Sequence, residues 1–198
     1  MESGTQPVLE FDCSALTEVK HLASMERDLN KALHSIRQIT IFEDDIVKEA
    51  LFDAALIAYR RCFTSGVRPR LDGFDPDSLG EDGREYHLYL LELASRLVAH
   101  SVSNMEDYVA GVVFASDGNI GAAVIHIKAS LFGDEEIRSQ FEKWLNSILR
   151  IYVDPRRQLL LAEARAVAAE LTLSQRNELK PIRWTRGSDR QMRGKRRG

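Results

Sequence analysis

A chain of 198 residues with 44% hydrophobic and 29% charged side chains has the balance of one globular domain able to bury a core, far from the composition of disordered chains. The two cysteines, Cys13 and Cys62, lie far apart with no C-x-x-C spacing, which argues against a disulfide scaffold or zinc site and for reduced thiols in a cytoplasmic protein. The net charge of −3 hides a skew: from Ile182 onward Arg183, Arg186, Arg190, Arg193, Lys195, Arg196 and Arg197 face one acid, Asp189, so a polyanion would meet the tail before the acidic body.

The opening Met1-Glu2-Ser3-Gly4 carries no basic stretch followed by an apolar run, and no secretory signal is expected. Apolar runs such as Val109 to Ala115 fall well short of the roughly 20 residues that cross a bilayer, so no membrane partner is expected. Residues 1–13 read as a frayed arm, with Ser14 as the N-cap of a long first helix. Along that helix Leu22, Met25, Leu29, Ala32, Ile36 and Ile39 recur every three or four residues, a narrow seam suited to one partner helix, with Lys20, Arg27, Asp28 and Lys31 directed elsewhere.

A second helix is predicted from about Glu43 to Phe63, with Val47, Ala50, Leu51, Ala54, Ala58 and Cys62 on its core face and Glu49, Asp53 and Arg60 opposite. Its leading acids, Glu43, Asp44 and Asp45, and its trailing Arg60 and Arg61 complement the helix dipole. The acids suit a helix start rather than a metal site, and neither metal nor cofactor is expected. Gly66 and Pro69 end the helix. Residues 64–83 are aperiodic and rich in Gly, Pro and Asp, and read as a long solvated connector.

A third helix is expected from about Arg84 to Ser101, burying Leu90, Leu91, Ala94, Leu97 and Val98. Next come a β-branched run, Tyr108 to Phe114, turn chemistry at Ser116-Asp117-Gly118-Asn119, and the alternating Ala123 to Lys128. These predict a β-hairpin over about 107–129 with His126 and Lys128 on its wet face. Asp134 is a candidate cap for a helix through Ile137, Phe141, Trp144, Leu145, Ile148 and Leu149. Asp154-Pro155 reads as a cap with proline at the first helical position, opening a new helix or a kink. Leu159, Leu160, Ala164, Val167 and Leu171 continue the pattern. Order weakens beyond Thr172, although Leu179, Pro181, Ile182 and Trp184 retain apolar surface for docking. The expectation is a mostly α fold: a bundle of about five helices over 14–182 with one inserted β-hairpin, then a basic, disordered tail at 183–198.

Phosphate-binding glycine loops, G-x-S-x-G and His-Glu-x-x-His are all missing from the sequence, which leaves those nucleotide, hydrolase and zinc chemistries unsupported. The constellation with chemical content is Arg96 and His100, followed by Ser101 and Asn104. At a spacing of four, Arg96 and His100 share a helical stripe with Leu93 and Tyr89. An imidazole beside a cation tends to stay neutral and can act as a general base, and a guanidinium can hold a phosphate through two parallel hydrogen bonds. The pair would cleave RNA without metal, His100 taking the 2′-hydroxyl proton and Arg96 steadying the phosphate. The competing reading is a histidine that bonds the last carbonyls of its helix.

The stretch from Leu90 to Val102, with Ala99-His100 near its end, resembles the signature helix of HEPN-type proteins. Those are helical domains of prokaryotic defence and toxin systems, many of them metal-independent ribonucleases that dimerise. The resemblance implies a homodimer acting on RNA, with His100 as the family's histidine. In the commonest spacing the family's arginine falls where this chain has Ala94 and the following polar residue is Ser95, so Arg96 stands closer to His100 than usual: either Arg96 substitutes, or the chain is a degenerate, binding-only member. Arg186, Arg190, Arg193, Lys195, Arg196 and Arg197 would grip phosphates without reading sequence. The alternative function is a non-enzymatic protein-interaction module joined through the Leu22–Ile39 seam.

Overall fold

The computed structural model describes residues 9–64, 70–95 and 134–181, and the backbone of 106–114 and 120–128. The fold is mostly helical. Its axis is α1 (Ser14–Gln38), which packs against α2 (Asp45–Arg61), α4 (Glu135–Ser147) and α5 (Asp154–Ala169). A short 3-10 turn, Ile39–Ile41, joins α1 to α2. α3 (Gly83–Leu93) lies against α2 and against a second 3-10 turn, Pro76–Leu79. α6 (Leu173–Glu178) closes the described helical run.

All six seam residues of α1 are buried, with Leu29 and Ala32 wholly so. Three helices rather than one cover this face, so the buried sector widens to include Ala15, Leu33, Ser35 and Asp28. Asp28, read from the sequence as turned away from the seam, lies 3.4 Å from Arg61 at the end of α2. The seam is used up inside the chain and offers no surface to a second subunit. The cap of α1 also differs from expectation. Cys13 occupies it without a side-chain bond, and Ser14 is already helical.

Of the three leading acids, Asp44 caps α2, accepting from the backbone N–H groups of Ile46 and Val47 at 2.8 and 3.3 Å. The inward face of α2 is rotated from the predicted one. Phe52, Ala55, Leu56, Ala58, Tyr59 and Cys62 are buried, while Ala50 is exposed and Val47, Leu51 and Ala54 are half-buried. The helix is apolar almost all round, and the larger rings of Phe52 and Tyr59 take the core because they remove more surface from water.

The segment after α2 is more than a solvated connector. Leu71 is buried and its N–H bonds the Cys62 carbonyl at 2.8 Å. Pro76 is also buried, at the start of a 3-10 turn that Asp75 caps through Asp77 N. Gly83, the first residue of α3, presses on this turn: a Cβ there would sit 2.0 Å from the Pro76 carbonyl oxygen. On α3 the buried set is Gly83, Leu90, Leu93 and Ala94; Leu91 is half-buried, and Leu97 and Val98 lie outside the described residues.

Strands β1 (Glu106–Phe114) and β2 (Ile120–Lys128) pair antiparallel, with Glu106 opposite Lys128 and Phe114 opposite Ile120. The turn residues singled out in the sequence, 116–119, lie outside the described residues.

Asp134 caps α4, accepting from Glu136 N and Ile137 N at 2.8 and 3.1 Å. Asp154 does not begin a separate helix. Its backbone is α-helical, and the chain continues from α4 through a π-helical stretch, Ile148–Val153, directly into α5. Pro155 lacks an N–H and its ring crowds the carbonyl four residues back. The wider π turn before it, where Asp154 N reaches back five residues to Leu149 O, gives the ring room without breaking the rod. The Asp154 carboxylate instead takes Arg157 at 3.0 Å. On α5 Leu160 and Ala164 are buried, but Leu159 and Val167 are exposed.

Beyond Thr172 the order is greater than the sequence suggested. Thr172 and Gln175 form a reciprocal capping box at the start of α6. Leu9 bridges to Pro181, and Glu10 N bonds Lys180 O at 2.7 Å, so the N-terminal arm is tied down from Leu9 onward.

Candidate functional site

Arg96, His100, Ser101 and Asn104 lie outside the described residues, as do Arg183, Arg186, Arg190, Arg193, Lys195, Arg196 and Arg197. The helix leading to the first group is described, and it carries a polar cluster that periodicity had not singled out. Gly83, His87, Leu90 and Ala94 follow one another at intervals of four, three and four. Gly83, Leu90 and Ala94 are buried and His87 half-buried, so the spacing itself places this imidazole on the inward stripe of α3.

His87 Nδ1 lies 2.7 Å from the Tyr59 hydroxyl on α2, and the same oxygen accepts the indole N–H of Trp144 on α4 at 2.8 Å. An indole N–H can only donate. With the Tyr59 proton donated to Nδ1 all three groups are satisfied, and in this arrangement neutral His87 carries its proton on Nε2. The chain of donors runs from Trp144 through Tyr59 to His87 and ties three helices together. The imidazole meets Phe63 and Phe74 at centroid distances of 4.6 and 5.7 Å, both at steep angles. Burial first, and then the Arg84 charge, lower its pKa from the ordinary histidine value. Arg84 itself is held in the open by Asp77 at 2.6 and 2.9 Å and by Asp75 at 3.4 Å.

Cavities open elsewhere among the described residues. One, of about 330 Å³, lies among α1, residues 70–72 and the start of α5. Its charged groups satisfy one another, Arg156 holding Glu18 at 2.8 Å and Arg70 holding Asp72 at 2.7 Å, while Tyr152 donates to the Asp72 carbonyl. The other, of about 280 Å³, opens at the start of α3 beside Tyr86, Lys143 and Trp144. The Tyr86 ring meets Trp144 edge-on at 5.3 Å. Its hydroxyl is cut off from solvent and has no hydrogen-bond partner among the described residues.

Among the described residues no group of three or more His, Cys, Asp or Glu side chains is placed to hold a metal ion, and no helix is long and apolar enough to cross a membrane. The fold and this cluster define a mostly helical protein with an aromatic, histidine-bearing core. No known family model matches the chain, and neither a curated protein nor a solved structure is significantly similar to it.

Proposed function

We propose that the chain is an HEPN-like, RNA-associated protein of a bacterial defence or stress system, acting as a homodimer in which His100 and Arg96 serve the RNA backbone. The observation that carries the reading is the sequence that continues α3: Arg96 and His100 four residues apart, with histidine after Ala99. In the commonest family spacing position 94 bears the arginine; here it is Ala94, 1% exposed, so the reading needs Arg96 to take the arginine's role.

In this reading neutral His100 takes the proton of the 2′-hydroxyl as its oxygen attacks the adjacent phosphorus. The bond from phosphorus to the 5′-oxygen breaks, leaving a 2′,3′-cyclic phosphate, and water protonates the departing oxygen. Arg96 holds the charge that builds on the phosphate oxygens. Arg186, Arg190, Arg193, Lys195, Arg196 and Arg197 add a sequence-independent grip on the strand. The test is cleavage of single-stranded RNA by purified protein in chelator. His100→Ala is expected to lose roughly 10²–10⁴-fold in rate and Arg96→Ala to weaken both binding and rate, with thermal unfolding unchanged. Equal activity in wild type and His100→Ala ends the proposal.

One observation favours a second reading, an oligomerisation module without catalysis. Ile41, Phe42 and Ile46 are 66%, 42% and 79% exposed at the corner between α1 and α2, and such neighbouring apolar side chains suit contact with a second copy. A dimer in light scattering that Ile46→Asp dissociates, together with no RNA cleavage by wild type, is the outcome this reading requires.

A further inference from the structure

We infer that the Trp144–Tyr59–His87 chain is a proton-operated latch that holds α3 on α2 and α4, closed when the imidazole is neutral and opened when it is protonated. The inference is independent of any RNA chemistry, because each of its parts lies in the described core.

The geometry sets the direction of the device. In the closed state Nδ1 accepts the Tyr59 proton at 2.7 Å and Tyr59 accepts the Trp144 proton at 2.8 Å. Every polar atom of the chain facing the interior is satisfied. Protonation turns Nδ1 into a donor. Tyr59 Oη then receives two donors, and its own proton must leave for an acceptor that the surrounding rings of Phe63, Phe74 and Phe141 do not supply. A buried donor without an acceptor is expensive, so the charged state favours withdrawal of His87 to water.

The neighbours reinforce this sense. From α2 the titratable group facing His87 is Tyr59, whose ionisation burial suppresses. α4 reaches it only through the Trp144 bond to Tyr59, which carries no charge. From its own helix the facing group is Arg84, a like charge, with Asp75 and Asp77 drawn onto the far guanidinium. Among the described residues no carboxylate pairs with the imidazole to stabilise its cation. The folded-state pKa is lowered below the ordinary 6.5. The unfolded chain therefore binds the proton first as pH falls. The latch's contribution to stability is complete above about pH 6.5 and is lost as pH falls through the native value.

The experiment follows Trp144 emission from pH 8 to 4.5 in a Trp184→Phe background, with far-ultraviolet circular dichroism recorded in parallel. The latch predicts a reversible emission change with its midpoint below 6.5 and helical content retained. His87→Gln, whose amide oxygen still accepts from Tyr59, should abolish it. The same change in His87→Gln, or none before the helices melt, overturns the inference. Proton NMR titration of the His87 ring in the unmodified chain gives a second reading that needs no variant. A midpoint below 6.5 that coincides with shifts of the Trp144 indole proton supports the latch; a midpoint at or above 6.5 defeats it.

Discussion

The Asp28 carboxylate on α1 lies 3.4 Å from the Arg61 guanidinium at the end of α2, with the acid side chain 8% exposed and the base 40%. The pair is half desolvated: the acid is committed to the interior, and the arginine reaches it from the solvent side. Removing the arginine leaves a buried charge with less compensation. Arg61→Gln is therefore expected to destabilise the fold by about 1 kcal/mol, between the values typical of exposed and of fully buried pairs. A urea melt with an unchanged midpoint would show that the pair contributes nothing.

The Tyr86 hydroxyl makes the opposite case. It is buried without a partner among the described residues, and burial raises its pKa, so it remains a neutral donor. Tyr86→Phe keeps the ring against Trp144 and removes only the unsatisfied oxygen. It should stabilise the protein by about 1 kcal/mol, the lower end of the penalty for an unmade buried hydrogen bond. A lower melting temperature in the variant would contradict this.

Gly83→Ala should destabilise. The added methyl would lie 2.0 Å from Pro76 O and 2.9 Å from the carbonyl carbon. Both are backbone atoms that cannot rotate aside, so α3 must lift off the 3-10 turn. Overpacking of this kind costs roughly 1–3 kcal/mol, more than alanine recovers as the better helix former. Calorimetry on the variant reads the sign directly.

Cys62 is wholly buried, its thiol bonded to the Ala58 and Met25 carbonyls at 3.5 and 3.6 Å. Burial, then the nearby Asp28 charge, push its pKa up to about 12. Since only the thiolate is nucleophilic, Cys62 should resist a disulfide reagent at pH 8 in the native protein and react at the rate of unfolding. The partly exposed Cys13 should react first. Two equally fast thiols in native protein would count against the core described here.

How much of this was legible beforehand varies by element. The α1 seam was, because six apolar residues at helical spacing among polar ones admit one inward face. The cap at Asp134 was too, because a carboxylate that satisfies free N–H groups is a local interaction. In α3 the helix was foreseen, but His87 was passed over although it falls on the buried stripe, since its partners Tyr59 and Trp144 lie 28 and 85 residues from their bonded neighbours along the chain. The residues proposed for RNA chemistry, Arg96 and His100, rest on sequence pattern.

By itself, the order of amino acids determined that this chain is mostly helical, where several helices begin, and which side of α1 turns inward, because periodicity and capping act within a few residues. Only the tertiary structure decided which face of α2 enters the core, that Asp28 is drawn inward, that His87 bonds Tyr59, and that α4 runs into α5 past Asp154. α2 has one charged side and apolar residues over most of the rest, so its sequence sets the inward face only loosely until the rings of Phe52 and Tyr59 pack against Phe141 of α4. The burial of Asp28 and His87 depends on Arg61, Tyr59 and Trp144, partners that reach them only once the helices have packed.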